Sequence, residues 1–376
     1  MRLATALFWL AAGCAVYVYA GYPALLYALT RVFRRPVRKA PITPHVSLLV
    51  AAYNEAEVIA TKVRNTLALD YPADRLEVVI ASDGSTDGTA DVAARVVHEL
   101  DAEDRVHVID YPQNRGKLAV LNDTVPGLRG DIVAFSDASS MLKPDAMRAL
   151  VASFADERVG AVSGVYRVER AEHASLGGQE GFYWVYETFL KTQEAALGSI
   201  LGGHGSLYAI RKPLYPFPPP GTINDDYVIP VRVVQQGFRV AYEPAAVAWE
   251  EAHEMGGFSR RVRIMAGNIQ QLRELPAFLD PVRPLELFFF LSHKAGRIVV
   301  PFALLIAFVA NLFLLDVPLY RVLFALQLGF YGLALAGAML RLPRLLRLPY
   351  YFAMINAAAF LALPHAMGSG RLTWRK

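Results

Sequence analysis

The feature that most constrains this chain is where its charges are missing. Residues 3–29 and most of 298–366 are nearly free of Asp, Glu, Lys and Arg, whereas 45–280 carries an ordinary mixture. About 20 apolar residues suffice for a helix to cross a bilayer core, where every backbone amide must be satisfied within its own segment. The chain therefore reads as a water-exposed domain held between membrane ends. The 54% hydrophobic content of its 376 residues fits that division.

The opening run, Leu3 to Leu29, exceeds the apolar part of a cleaved leader. It ends in Arg31, Arg34, Arg35, Arg38 and Lys39 rather than in a small-residue cleavage site, so the expectation is a retained membrane helix over 1–30, a cleaved leader being the alternative. By the positive-inside rule the basic loop, and the domain after it, lie in the cytoplasm of a multi-pass protein of the cell membrane. The net charge of +4 sits largely beside the apolar segments, again at Arg341, Arg344 and Arg347, which is a membrane-edge pattern and not a nucleic-acid surface. The single cysteine, Cys14, lies inside the first apolar run and excludes an intrachain disulfide or a Cys-based zinc site. Segment 281–297 is apolar and aromatic with interspersed charge, which suits an interfacial helix. Spans are expected at 298–316 and 319–340, and the last piece, 350–367, either spans or lies at the interface, giving two or three membrane helices over 298–367.

Between these ends, after a linker from Pro36 to Pro44, strand-length apolar runs alternate with helical spacing. Runs 46–53, 76–81, 106–109 and 131–135 are each followed by a polar loop, and helices follow the first three. Fully apolar strands alternating with helices predict a mostly parallel α/β sheet covered on both faces, with ligands at the carboxyl ends of the strands. The polar motifs all fall at those ends. Asp-Gly at 83–84 and again at 87–88 reads equally as a pair of turns. Lys117 opens a helix after a glycine, where it and the helix N-terminal amides suit a phosphate, while Arg115 is expected to face solvent.

The ordered set AAYNE (51–55), SDGSTDGT (82–89), NRGK (114–117), FSDAS (135–139) and NDDYVIP (224–230) closely resembles the family 2 glycosyltransferases with the GT-A fold, from about 46 to 275. The membrane flanks and the string RRVRI (260–264) resemble more narrowly the membrane-integrated members related to cellulose, hyaluronan and poly-N-acetylglucosamine synthases. The resemblance implies a Rossmann-like GT-A domain over 45–280 and inverting transfer from a nucleotide-sugar, with a UDP-sugar as the expected donor and a lipid-linked or growing glycan as acceptor.

It also implies residue roles. Tyr53, Asn54, Glu55 and Asp83 fall where the base and ribose are held, and Lys117 where the diphosphate is neutralised. Asp137 takes the first position of the family's Asp-x-Asp, which holds Mg2+ or Mn2+ against the diphosphate; the third position is Ser139, a departure that weakens the expected metal affinity. His253 is either a further metal ligand or a structural polar residue. Arg263 keeps the arginine of the family's Gln-x-x-Arg-Trp, but Arg260 replaces its glutamine and Ile264 its tryptophan, which puts long-chain processivity in doubt. Asp226 matches the family's catalytic base, with Asp225 as the alternative, since two adjacent carboxylates cannot be ranked by spacing. His204, Tyr183 and Trp184 are candidates for the acceptor channel, the aromatics reading equally as plain core. Two alternatives stay open: addition of a single sugar to a lipid, and a catalytically weak membrane assembly subunit.

Overall fold

The computed structural model describes residues 1–169, 177–251, 258–272, 283–340 and 342–367. These fall into two compact units. One gathers Met1–Val32, Ser175–Tyr183 and Glu254–Gly370, the other Phe33–Ala174 and Trp184–His253.

The second unit is built on β1 (Val46–Ala52), β2 (Leu76–Asp83), β3 (Val106–Tyr111), β4 (Ile132–Asp137), β5 (Met141–Leu142), β6 (Val159–Glu169), β7 (Tyr208–Arg211) and β8 (Arg239–Glu251). Among the described residues they form one mixed sheet in the order β3-β2-β1-β4-β7-β6-β8-β5. β3, β2, β1 and β4 are parallel, β7 runs against β4 and β6, β8 is parallel to β6, and β5 runs against β8. The parallel half explains why its strands read as unbroken apolar runs. β1 lies between β2 and β4, and every one of its residues is buried. Each fully buried Val, Leu or Ile there contributes about 1.5–3 kcal/mol of transfer free energy.

The helices of this unit are α1 (Ala56–Leu67), α2 (Thr89–Glu99), α3 (Lys117–Thr124), α4 (Ala146–Ala152), the Trp184–Leu197 part of α5 (Gly177–Leu197), and α6 (Asp225–Gln235). α1 and α2 turn Ile59, Val63, Ala93, Val96 and Val97 into the core against the sheet. The α/β expectation holds in this form, and all four parallel strands end on the loops that carry the polar motifs.

The first unit holds four helices long and apolar enough to cross a membrane among the described residues: Arg2–Val32, Pro284–Leu312, Pro318–Met339 and Leu345–Pro364. Helical backbone runs unbroken from Pro284 to Leu312, so the described part of the segment read as a separate interfacial helix is continuous with the apolar helix after it. Phe8 and Ala11 pack on Ala303, Ala307 and Ala310, small residues that let two helices approach closely. The Trp9 indole N–H donates to Tyr320 Oη at 3.0 Å. Both partner helices contain a wider π-type turn, Tyr17–Gly21 in one and Phe290–Ala295 in the other, and Tyr17 Oη meets Ser292 Oγ between them at 2.8 Å. α7 (Phe258–Gln270) packs on the last of these helices, where the Arg261 guanidinium lies 4.7 Å above the Tyr351 ring and donates to its hydroxyl.

Candidate active site

At the end of β1 the chain turns through Asn54, whose φ of +54° is left-handed, a conformation that Asn tolerates better than most residues. The turn is tied to the loop after β2. Asn54 Oδ1 accepts the Thr86 amide at 2.9 Å, while the Asn54, Glu55 and Ala56 amides donate to Ser85 Oγ, Thr89 Oγ1 and Asp87 Oδ2 at 3.1, 2.8 and 3.0 Å. Against the desolvation that would raise it, the Thr89 hydroxyl and the amides of Ala56 and Thr89 hold the Asp87 carboxyl below its usual range. The loop after β2 thus braces Asn54 and Glu55 through Ser85, Thr86, Asp87 and Thr89.

Asp83 is fully buried. Its two oxygens accept the Arg115 and Gly116 amides, each at 2.8 Å. The carboxylate expected beside the base or ribose therefore also clamps the loop that delivers Lys117. Gly84 (φ +63°) makes the close approach possible, because a Cβ there would lie 2.4 Å from the Asn114 backbone nitrogen. Arg115, expected to face solvent, is half-exposed, paired with Asp123 and stacked 5.2 Å from the Tyr111 ring centroid.

Lys117 then reaches back across the site. Its Nζ lies 2.8 Å from Asp137 Oδ1 and 3.1 Å from Asp225 Oδ2. Burial alone would lower its pKa, but Asp137 and Asp225 outweigh that and raise it, so the ammonium form is fixed. Tyr208 on β7 donates its hydroxyl to Asp225 at 3.0 Å, and burial beside this carboxylate pushes the phenol well above its usual range.

Asp226, one residue on, has a different environment. Its Oδ2 accepts the Gly205 amide at 3.1 Å and its backbone carbonyl accepts the Gly203 amide at 2.6 Å. Burial and the neighbouring Asp225 charge raise its pKa, while Lys117 and Lys191 pull the other way. Both aspartates occupy the first turn of α6, where the helix N-terminus favours negative charge.

At the end of β4, Asp137 is partly exposed, and a Cβ on Gly205 would sit 3.1 Å from its Oδ2. The bare glycine leaves room beside a hard oxygen donor, which fits a hard divalent cation shared with a diphosphate. Ser139 donates its hydroxyl to Glu250 Oε1 at 2.9 Å; Ser140 and Tyr166 donate to the same carboxylate at 2.5 and 2.9 Å. His253 lies outside the described residues. Among those residues no group of three or more His, Cys, Asp or Glu side chains gathers as a metal cage, so a cation here would complete its shell with donor phosphates and water.

His204 is buried, 3.2 Å from Tyr242 Oη through Nε2, and edge-on to Trp184 at 5.3 Å. Trp184 also packs edge-on against Tyr166 at 4.8 Å. Tyr183 belongs to the other unit, where its hydroxyl accepts from Arg297 at 3.3 Å. Arg263 also lies there, on α7. Tyr53 stands half-buried just past β1.

Two buried lysines escaped the sequence reading. Lys62 on α1 is fully buried, donates to Ser136 Oγ at 2.7 Å and to the Ser140 carbonyl, and is brought down to about 7 by burial. Lys191 on α5 donates to the Gly202 and Gly203 carbonyls at 3.0 and 2.8 Å. The available signal was position: each stands on the core-facing stripe of its helix, Lys62 with Ile59, Val63 and Thr66.

Residues 44–267 match the family described as "Glycosyltransferase like family 2". The poly-beta-1,6-N-acetyl-D-glucosamine synthase of Staphylococcus aureus is 26% identical over 269 residues, covering 66% of this chain and 61% of that protein. A Bacillus subtilis protein named "Probable glycosyltransferase YdaM" is 30% identical over 222 residues, 56% of this chain and 51% of its own length. In structure, the mannosyltransferase PcManGT of Pyrobaculum calidifontis, solved with GDP-Man and Mn2+, superposes with a TM-score of 0.73 at 24% identity, covering 97% of this chain and 98% of that one. Its likeness bears on the fold, and the family match covers the strands and loops that build the site: this chain belongs to the family 2 glycosyltransferases, with a GT-A-type domain and apolar flanking helices long enough to cross a membrane.

Proposed function

We propose that the chain is an inverting glycosyltransferase that moves a sugar from a nucleotide-diphosphate donor to a lipid-linked or growing glycan acceptor at the membrane. The observation that carries this reading is the contrast between two adjacent aspartates. Asp225 is buried and committed to Lys117 and Tyr208, whereas Asp226 accepts glycine amides and is raised toward neutral pH, as a general base requires. In this reading the acceptor hydroxyl oxygen attacks the anomeric carbon, its proton passes to Asp226, and the bond to the diphosphate breaks on the opposite face.

Lys117 neutralises the departing diphosphate, and Asn54, Glu55 and Tyr53 hold the nucleoside beside a loop set by Asp83. Mg2+ or Mn2+ held by Asp137 and the donor phosphates would add Lewis-acid neutralisation. Divalent metal and nucleotide-sugar are supported by the PcManGT complex, and a glycan acceptor by the name of the staphylococcal relative. The basic loop after the first span supports a cytoplasmic domain in the cell membrane. Ile264, in place of the family's tryptophan, favours a second reading in which one sugar is added to a lipid.

The test is nucleotide release by the full chain in nanodiscs, screened over UDP-sugars first and GDP-sugars second. Asp226→Asn is expected to lower turnover by about 10²–10⁴-fold with nucleotide affinity near wild type. Retention of more than about a tenth of turnover by that variant removes Asp226 as the base, and no release from any donor in the screen counts against the enzyme reading. Product length separates polymer from single addition.

A further inference from the structure

The Gly202–Gly205 segment contributes the Gly203 and Gly205 amides to Asp226, and its own position depends on α5. From Trp184 onward this helix turns a mixed stripe inward, with Trp184 on His204, Thr188 on Tyr242 at 3.3 Å, and Glu187, Lys191 and Glu194 all buried. An inward stripe of an amphipathic helix is ordinarily apolar, because burying an ammonium group is costly unless it is paired and hydrogen-bonded. Lys191 is 3% exposed and spends two donors on consecutive carbonyls, Gly202 and Gly203. Gly202 is itself constrained, since its φ is +98° and a Cβ there would meet the Tyr227 ring at 2.8 Å. The same segment returns the Gly203 and Gly205 amides to Asp226.

We propose that Lys191 is a positioning residue of the transfer reaction: it fixes the Gly202–Gly205 segment against Asp226 and places a positive charge behind that carboxylate. The inference rests on the reading of Asp226 as the base. The charged groups that act on Asp226 include Asp225 on its own helix, Lys117, Lys191 and Asp137. Lys117 bridges Asp137 and Asp225, whereas Lys191 is tied to Asp226 through the glycine segment. Its removal costs both geometry and charge.

The experiment uses the full chain in nanodiscs and compares wild type with Lys191→Gln, Lys191→Met, Lys191→Arg and Asp226→Asn. Turnover is followed across pH, nucleotide affinity by calorimetry, and folding by Tm. Lys191→Gln keeps one side-chain donor for the carbonyls but loses the charge. It is expected to fold, to lose about tenfold in turnover, and to move the acid limb of the pH profile upward by about one unit, with nucleotide affinity within about twofold of wild type. Lys191→Met should show the same shift with a larger loss, and Lys191→Arg should return the limb to its wild-type position. If Lys191→Met fails to fold, the Gln and Arg pair decides. A Lys191→Gln variant with wild-type rate and limb overturns the inference, as do equal losses in Gln and Arg with an unmoved limb, which mean packing alone. An inactive Asp226→Asn beside an unaffected Lys191→Gln overturns this inference and leaves the base standing; an active Asp226→Asn overturns both.

Discussion

Lys117 Nζ stands 3.1 Å from Asp225 Oδ2 while holding Asp137 Oδ1 at 2.8 Å, so one ammonium group joins the end of β4 to the first turn of α6. The donor-side carboxylate and the helix that carries the proposed base are held by the same atom. Lys117→Met leaves two carboxylates facing each other without a cation. Breaking a buried pair costs about 3–5 kcal/mol, so chemical denaturation should show a loss of that order. Adding Asp225→Asn should recover part of it; a double variant no more stable than the single one would contradict the bridge.

The pH dependence follows from the direction of the Asp226 shift. Burial and Asp225 raise its pKa, and a base works when ionised, so turnover should rise with pH through a midpoint above the ordinary carboxylate value of about 4. The stability sign is opposite. A carboxyl raised by folding favours the protonated form, so its contribution to stability is fully present below the unfolded carboxylate value of about 4 and is lost as pH rises from there through its folded pKa of about 6. Asp226→Asn should therefore raise Tm at neutral pH and leave it unchanged near pH 3. A Tm difference that grows on acidification would reverse the assignment of the shift.

Gly84→Ala tests the docking of the two loops. The new Cβ would meet backbone, not a flexible side chain, and the +63° φ adds strain of order 1 kcal/mol. The Arg115–Lys117 segment must move, and nucleotide affinity should fall at least tenfold while the sheet stays folded by far-UV circular dichroism. Unchanged affinity would detach this loop from donor binding.

Ser139→Asp places a carboxylate where Ser139 now donates to Glu250. Two acids at that spacing repel, so Tm without added metal should drop by several degrees and be restored by Mn2+, with tighter apparent Mn2+ binding than wild type. A Tm insensitive to Mn2+ in both proteins would place this corner away from the cation.

On α7, Arg261→Ala removes a cation–π contact and a hydrogen bond to Tyr351 and should lower Tm with little change in turnover per folded molecule. Arg263→Ala should lower turnover far more than Tm, because only Arg263 matches the family's diphosphate arginine. Equal small effects of both on turnover would favour a lipid-headgroup role.

Much of this was legible in the residues. The parallel strands were readable because burial on both faces demands unbroken apolar runs such as Val46–Ala52, and the loop motifs because they interrupt those runs. What could not be read was any bond across the fold. Asp83 looks like a ligand contact in sequence, yet its oxygens already receive two amides 32 and 33 residues away. Ser139 looks like a loss until Glu250, 111 residues on, is seen beside it. Spacing left Asp225 and Asp226 equivalent; Tyr208 and Lys117, brought in by β7 and α3, and the Gly205 amide on Asp226 tell them apart. Tyr183 and Trp184, neighbours in sequence and both candidates for the acceptor channel, divide between the two units.

The wide turns at Tyr17–Gly21 and Phe290–Ala295 carry i→i+5 bonds, so each admits one residue more than a regular helical turn. Each added residue advances the side-chain direction by about 100°, so everything beyond such a turn faces a different way from what an uninterrupted repeat would give. Tyr17 and Ser292 bond where the two offsets meet. The two helices are therefore phased against each other as a pair. A one-residue deletion in either turn would leave a regular, equally apolar helix, invisible to any hydropathy plot, whose remaining length presents the wrong side to its neighbour.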